Sequence, residues 1–144
     1  MRIPNGSTIM VVPALSPWSN QATAGVSSNA INFSGYYGVM GIFSAGSAGG
    51  GTTGLTYKVV RSGTSNGTYN PFGFTTSAIT AGCGATVVRN FLINTSCVWH
   101  RVVANNGAGG SYVPIVFLLG MKGPYEPVLT QDPQVTVQND VLVG

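Results

Sequence analysis

The chain has 144 residues, of which 44% are hydrophobic and only 6% are charged. A chain of this length and apolar content suits one domain with a packed core, which excludes an intrinsically disordered protein. An ordinary soluble domain carries roughly 25% charged residues, so this chain lacks the mixed charged surface that normally keeps a free monomer soluble. The composition therefore favours a protein whose surface is covered by neighbours.

The net charge of +3 rests on six cations and three acids, and the cations are scattered and never adjacent. Nucleic-acid surfaces show clustered Lys and Arg, so we expect no nucleic-acid partner. The first residues lack the continuous apolar segment of a secretion signal. No apolar run approaches the roughly 18 residues that cross a membrane as a helix. We therefore expect synthesis in the cytoplasm and no membrane contact.

Short apolar stretches, alternating or β-branched, are punctuated by Gly, Asn, Ser or Pro along the whole chain, and no sustained helical period appears. We predict strands over residues 7–12, 30–33, 38–45, 54–62, 67–75, 85–94, 97–105, 112–121 and 134–141. A single helical turn is compatible with residues 17–21. The pattern predicts an all-β fold, an antiparallel β-sandwich of jelly-roll type with about eight strands.

Four connections between these strands can be read from the sequence. Residues 45–54 are Gly-rich and are predicted to join two strands as a loop. The dipeptide Asn66-Gly67 is a signal for a type I′ turn. Residues 94–96 are predicted to form a tight reversal, and residues 105–110 another turn.

The two ends of the chain differ from its centre. Residues 1–29 are proline-punctuated and polar, and residues 124–144 carry three prolines before the alternating stretch 135–141. We therefore predict an extended N-terminal arm over 1–29, a sandwich core over 30–123 and an extended C-terminal arm over 124–144. Packing of the arms on their own domain and docking on a neighbouring subunit both fit the sequence.

Groups that support catalysis or metal binding are sparse. The acids all follow residue 125: Glu126, Asp132 and Asp140. To act as a general base, His100 would need Cys97 or Cys83 as the nucleophile, and it has no acid nearby in the sequence to orient its ring. Two cysteines and one histidine do not supply a zinc tetrad, and without a secretion signal we expect reduced thiols. A disulfide between Cys83 and Cys97, facing each other on paired strands, is the alternative. We predict that the chain is not an enzyme and takes no cofactor, metal or small-molecule substrate.

Five residues are predicted to bind a partner. Trp99 and Arg101 lie on one face of the predicted strand 97–105, where they can form a cation–π surface. Such a surface would suit carbohydrate or nucleotide binding, but the sequence favours a position for Trp99 on the core face or at a subunit contact. Val135, Val137 and Val141 alternate in the C-terminal stretch, like a strand that extends a neighbour's sheet edge.

The order of several motifs resembles a known family. A Gly-Tyr strand at 33–39 is followed by a Gly-rich loop and a strand–Ser–turn–Gly hairpin at 56–69. An Arg-bearing strand at 100–105 and an apolar strand at 112–120 follow, and the pattern closes at Pro124. This order is similar to that of the small β-sandwich head decoration, or cement, proteins of tailed bacteriophages, over residues 33–124.

The resemblance implies a structural virion protein that decorates and stabilises an assembled phage head. Its partners would be the major capsid protein and copies of itself, often as a trimer, and it would lie on the capsid surface after synthesis in the host cytoplasm. The very low acid content and the proline-rich ends depart from the family pattern. A phage tail or connector component and a carbohydrate-binding sandwich are the alternatives, the latter through Trp18, Trp99, Tyr36 and Tyr37.

Overall fold

The computed structural model describes residues 9–15, 26–49, 54–76, 79, 86–106, 111–122 and 135–143. The regular elements among the described residues are all β-strands, and these residues contain no helix. The strands are β1 (Ile9–Leu15), β2 (Val26–Ser27), β3 (Ile31–Asn32), β4 (Gly38–Gly49), β5 (Leu55–Ser62), β6 (Asn70–Thr75), β7 (Thr86–Leu92), β8 (Trp99–Asn106), β9 (Ser111–Met121) and β10 (Val135–Val143).

The strands form two sheets. Sheet A has the order β1-β9-β4-β7-β10, and sheet B has the order β2-β8-β5-β6, with β3 also paired to β8. Up to β9 the antiparallel pairs are nested: β1 with β9, β2 and β3 with β8, β4 with β7, and β5 with β6. A hairpin rolled up in this way is a jelly roll, which confirms the predicted fold class.

Strand β10 lies outside this roll. It pairs with β7 in parallel, which adds one parallel pair that the sequence pattern did not predict. Strands β1 and β2 come from the segment 1–29 and pair with β9 and β8, so both segments that we expected to be arms contribute strands to the sheets of this chain.

The strand positions follow the prediction, with local differences. Strand β2 was not predicted, because Val26 is a lone branched apolar residue among small and polar ones, whereas β3 lies within the predicted stretch 30–33. Strand β4 continues to Gly49, so the predicted loop start at residue 45 is wrong: Gly46 pairs with Val113 on β9. The predicted helical turn at 17–21 and residues 107–110 of the last predicted turn lie outside the described residues.

The turn around Asn66-Gly67 has a different type from the one predicted. A type I′ turn needs positive φ at both central residues, but Gly35 and Gly54 are the positive-φ residues in the described part of the chain. The N–H of Gly67 donates to the carbonyl of Thr64 at 3.2 Å. A Cβ at Gly67 would lie 2.5 Å from hydroxyl oxygens of Ser62 and Thr64, so packing against these hydroxyls explains the glycine.

The predicted reversal at 94–96 is confirmed. The side-chain oxygen of Asn94 accepts from the N–H of Ser96 at 2.8 Å, and its carbonyl accepts from the N–H of Cys97 at 2.9 Å. Asn side chains commonly stabilise turns in this way. The reversal carries the chain from β7 in sheet A to β8 in sheet B.

The core lies between the two sheets. Aromatic and branched aliphatic side chains fill it: Phe33, Val39, Phe43, Leu55, Tyr57, Val59, Phe91, Val102, Val116 and Leu118 are each at most 1% exposed. Each such side chain contributes about 1.5–3 kcal/mol when it is fully buried. Polar members of the inner layer are few among the described residues, with His100 and Arg89 the main ones.

Tyr57 bridges the two sheets. Its side chain projects from β5 in sheet B, and its hydroxyl donates to the carbonyl of Ser44 on β4. The same oxygen accepts from the N–H of Ile115 on β9 at 3.3 Å. Ser44 and Ile115 are cross-strand partners, so the phenol enters the ladder between β4 and β9. Burial raises the pKa of Tyr57 well above its ordinary value.

Replacing Tyr57 by Phe tests this bridge. We expect Tyr57→Phe to lower the free energy of unfolding by about 1–3 kcal/mol, because two part-buried hydrogen bonds of about 0.5–1.5 kcal/mol each are lost. Denaturant titration of the purified protein measures the change. Tyr37→Phe is the matched control, since Tyr37 is 46% exposed; equal stability of the two variants would contradict a structural role for the bridge.

Candidate functional site

The face of sheet A that points away from sheet B is the most unusual surface of the molecule. On β9 the fully buried Val116 and Leu118 alternate with Ile115, Phe117 and Leu119, which therefore point outward. We call this surface the outer A face. Its central members are Val11, Pro13, Met40, Ile42, Ser44, Val88, Asn90, Ile115, Phe117 and Leu119.

The strand register arranges the outer A face in rows. One row runs Val11, Leu119, Met40 and Asn90 across β1, β9, β4 and β7. The next row runs Pro13, Phe117, Ile42 and Val88. Directly opposite cross-strand residues lie close enough to contact one another. The rows therefore form one contiguous apolar surface.

The solvent-exposed fraction of the side chains on the outer A face rises from β7 to β1. Val88 and Asn90 are buried, Met40 and Ile42 are half-buried, and Phe117 is 40% exposed. Val11 is 60% exposed at the edge. None of the ten central members of the outer A face carries a charge. Contiguous exposed apolar surface of this kind marks interaction sites in soluble proteins.

Chemically, the outer A face suits association through apolar contact. Its members bring no titratable group, so they supply neither acid–base chemistry nor a metal ligand. An apolar partner can approach it without removing water from any charge, a step that costs several kcal/mol per ion. The face is therefore suited to bind a broad, uncharged protein surface.

Asn90 is the polar exception within the rows. It is 1% exposed, and neither its side-chain oxygen nor its side-chain nitrogen has a hydrogen-bond partner. A buried amide in this state costs about 1–3 kcal/mol. It lies opposite Met40 on β4 and opposite the point where β10 shifts its register, between Gln138 and Leu142.

The partner-binding residues predicted from sequence lie on two different sheets. Trp99 and Arg101 share the outer face of sheet B, as their alternation predicted, opposite Ser62 and Val60. The Arg101 guanidinium stacks 4.4 Å from the centroid of the Tyr69 ring. Trp99 is half-buried. Their role in partner binding stays a prediction.

The predicted valines lie on the edge strand of sheet A. Val135 and Val137 pair with Thr86 and Val88 on β7, and Val141 falls within the register shift of β10. The structure therefore brings Val135 and Val137 to the edge of sheet A, and it does not bring them together with Trp99 and Arg101 on sheet B.

His100 belongs to the core. It is 1% exposed, and its ring centroid lies 5.6 Å from those of Phe33 and Phe91. Its Nδ1 donates to the carbonyl of Val98 at 3.1 Å. Burial, with a smaller effect of the Arg61 charge, lowers the pKa of His100 to about 4, although the Val98 bond opposes this. A ring held this way is a neutral packing element.

Other sequence candidates give no assembled site in the described residues. Cys97 is half-buried and carries a free thiol, and Cys83 lies outside the described residues. The described part of the chain holds no cluster of three His, Cys, Asp or Glu residues that could bind a metal ion. It also holds no helix long and apolar enough to cross a membrane.

The outer A face was not predicted from the sequence, although a signal for it is present. A strand with one solvent-exposed face alternates apolar and polar residues, whereas a strand that is covered on both faces is continuously apolar. Residues 113–119 of β9 are continuously apolar, and β7 carries Val87 and Val88 side by side. In contrast, Thr56 and Lys58 alternate with buried residues on β5.

The fold is similar to that of a chain in the structure of infectious bursal disease virus Gx strain, with a TM-score of 0.51 and 14% sequence identity. The match covers 83% of this chain and 33% of that one, so the chain spans about a third of the length of the protein it matches. At this identity the likeness shows a shared fold. No family model matches the chain, and no curated protein matches it.

Acid should destabilise the protein through His100. The ring has a pKa of about 4 when folded and about 6.5 when unfolded, so the unfolded chain binds more protons between these values. Keeping His100 neutral therefore costs no stability above pH 6.5. As the pH drops toward 4, the His100 effect lowers the free energy of unfolding by about 3 kcal/mol in all. Urea titrations at several pH values measure this loss.

The control is His100→Phe, which keeps an aromatic ring in the core. Glu126, Asp132 and Asp140 also titrate in acid, but they are common to both proteins. The difference in stability between the two proteins should thus change with pH between 4 and 6.5. A constant difference across this range would show that His100 is not held neutral.

Replacing Asn90 by the nearly isosteric Leu should stabilise the isolated chain. The substitution removes two buried polar atoms that lack partners, so we expect a gain of about 1–3 kcal/mol in the free energy of unfolding. Thermal unfolding measures it. Asn94→Leu is the control: it breaks the 2.8 Å bond to Ser96 and should destabilise the protein. A less stable Asn90→Leu variant would show that the amide is satisfied in solution.

Proposed function

We propose that this chain is a structural protein of a virus particle that packs against its neighbours through the outer A face. The observation that carries the proposal is the contiguous, uncharged apolar surface of β1, β9 and β4, on which Val11 and Phe117 are 60% and 40% exposed. A jelly roll is a common architecture of viral capsid domains, and it is also found in lectins and cupins. The likeness to a chain from a virus structure supports the first of these settings.

The proposed mechanism is thermodynamic and needs no catalytic step. A protein that binds only the assembled state stabilises that state by mass action. Burying one Phe or Val side chain contributes about 1.5–3 kcal/mol, and association itself has a substantial entropic cost. Repetition across a lattice turns modest contacts into a large total stabilisation.

Within this role we propose capsid decoration: the chain binds the outside of an assembled phage head and clamps adjacent capsid proteins. The sequence resemblance to phage decoration proteins over residues 33–124 supports this proposal, and so does the low content of charge. The partners would be the major capsid protein and further copies of this chain. A tail or connector position uses the same surface physics and is the nearest alternative.

A carbohydrate-binding module would need a flat, exposed aromatic platform. Tyr37 is 46% exposed, but Tyr36 and Trp99 are half-buried, and Trp18 lies outside the described residues. Lys122 also covers the Tyr36 ring, with its Nζ 5.8 Å from the ring centroid. The described aromatics therefore support this alternative less well than the outer A face supports assembly.

The test is binding to particles purified without this protein. We expect the wild-type chain to co-sediment with particles at a fixed ratio, and Phe117→Asp to remain at the top of the gradient. A carboxylate buried in the contact costs several kcal/mol, which corresponds to a loss of affinity of more than about 100-fold. Sedimentation with quantitative mass spectrometry measures the ratio.

Tyr37→Asp is the matched control, because Tyr37 is as exposed as Phe117 but precedes β4 outside the rows of the outer A face. We expect this variant to bind particles like the wild type. Equal binding of Phe117→Asp and the wild type would contradict the proposed surface. A wild-type chain that stays a free monomer while binding a glycan would contradict the virion role itself.

A further inference from the structure

Strand β10 is an addition to a jelly roll that is already complete. The nested antiparallel pairs involve every strand from β1 to β9, and β10 then lies along β7 at the edge of sheet A. A strand added to a sheet edge is held by main-chain hydrogen bonds that any suitably placed segment can make. The same segment from another copy fits the same edge.

The attachment of β10 is interrupted at its centre. Val135 to Gln138 pair in register with Thr86 to Arg89, and the next pair is Leu142 with Phe91. Residues 139–141 therefore stand opposite Asn90 alone. The Asn90 amide is buried there without a hydrogen-bond partner. Both features lower the stability of the edge pairing relative to a continuous ladder.

The chain between β9 and β10 joins two points at opposite ends of sheet A. Met121 and Leu92 both pair with Gly38, so β9 ends at the same end of sheet A as β7. Val135 starts beside Thr86, at the opposite end of β7. Met121 and Val135 are therefore three strand spacings apart across the sheet and one length of β7 apart along it. Together these give a separation of about 25 Å.

Twelve residues, 123–134, span this gap, and three of them are proline. Fully extended, such a segment reaches about 40 Å, well beyond what pairing within one chain requires. A proline-rich segment also favours extended spacers over compact turns. The length and composition of this connection are therefore compatible with a β10 strand that pairs with another copy of the chain.

We infer that β10 is exchanged between copies of this chain, so that residues 135–143 of one molecule pair with β7 of another. The occupant is a second copy because every copy supplies both the strand and the edge, and exchange keeps each register contact of the single chain. Exchange of an identical element is a low-cost route to oligomers. The inference concerns the isolated protein and does not depend on the proposed virion role.

Disulfide trapping between separate molecules tests the exchange. In a full-length background with Cys83→Ser and Cys97→Ser, one protein carries Val88→Cys and the other, isotopically heavy, carries Val137→Cys. These positions are register partners, and neighbouring strands lie about 4.8 Å apart, within the range that a disulfide bridges. The two proteins are unfolded together, refolded and oxidised, and their masses are measured.

Exchange predicts a shift of mass from monomer to a light–heavy dimer, which peptide analysis should show to be joined through the two introduced cysteines. The control mixture carries Lys58→Cys on one protein and Val103→Cys on the other; these are register partners inside the roll and should stay monomeric. The double variant Val88→Cys/Val137→Cys shows whether the register itself is right.

Three results would overturn the inference. The mixture could remain monomeric while the double variant closes an internal disulfide, which would keep β10 on its own chain. The double variant could fail to form any disulfide, which would show that β10 does not pair with β7 in this register. Finally, the Lys58→Cys and Val103→Cys mixture could link as strongly as the test mixture, which would make the trapping non-specific.

Discussion

Sheet A carries apolar side chains on both of its faces, and burial of such surface is the main source of stability in folding and association. Sheet B covers the inner one, where Phe43, Phe91 and Leu118 are fully buried. The outer one is buried near β7 and becomes exposed toward Phe117 and Val11. Since burial of apolar surface is favourable wherever a partner is available, this gradient favours association through the β1 side of the sheet. In the proposed role, contact with neighbours takes the place of the charged surface that keeps an ordinary monomer soluble.

The two sheets are tied to each other at specific points in addition to their apolar packing. Tyr57 carries a hydroxyl from sheet B into the ladder between β4 and β9, and His100 fills the space between Phe33 and Phe91 as a neutral ring. A buried polar group stabilises a unique arrangement only when its partners are present. Tyr57 meets this condition, whereas Asn90 does not. The unsatisfied amide lies where the jelly roll ends and the added strand β10 begins, which is where the molecule is best placed to exchange partners.

Much of the fold could be predicted from the sequence because its strands are short and clearly punctuated. The alternation in Leu55 to Ser62 and the Asn94 turn carried enough local information to place both elements. The end of β4 was not predictable, because Gly46 has no side chain to show a pattern and becomes a strand residue only by pairing with Val113. The outer A face was not predicted for a related reason: the residues that stand out as candidates in the sequence are aromatic or charged, such as Trp99 and Arg101. The outer A face is instead marked by a continuous apolar run, which has no individual residue that stands out.

The most direct test of the central claim is hydroxyl-radical footprinting of Phe117 in the free protein and in the assembled particle, with Tyr37 as the internal reference of similar exposure. The account predicts that Phe117 reacts in the free chain and is protected in the particle, while the reactivity of Tyr37 changes little. Equal modification of Phe117 in both states would contradict it, because the outer A face would then remain in water and the contact would have to lie elsewhere on the molecule.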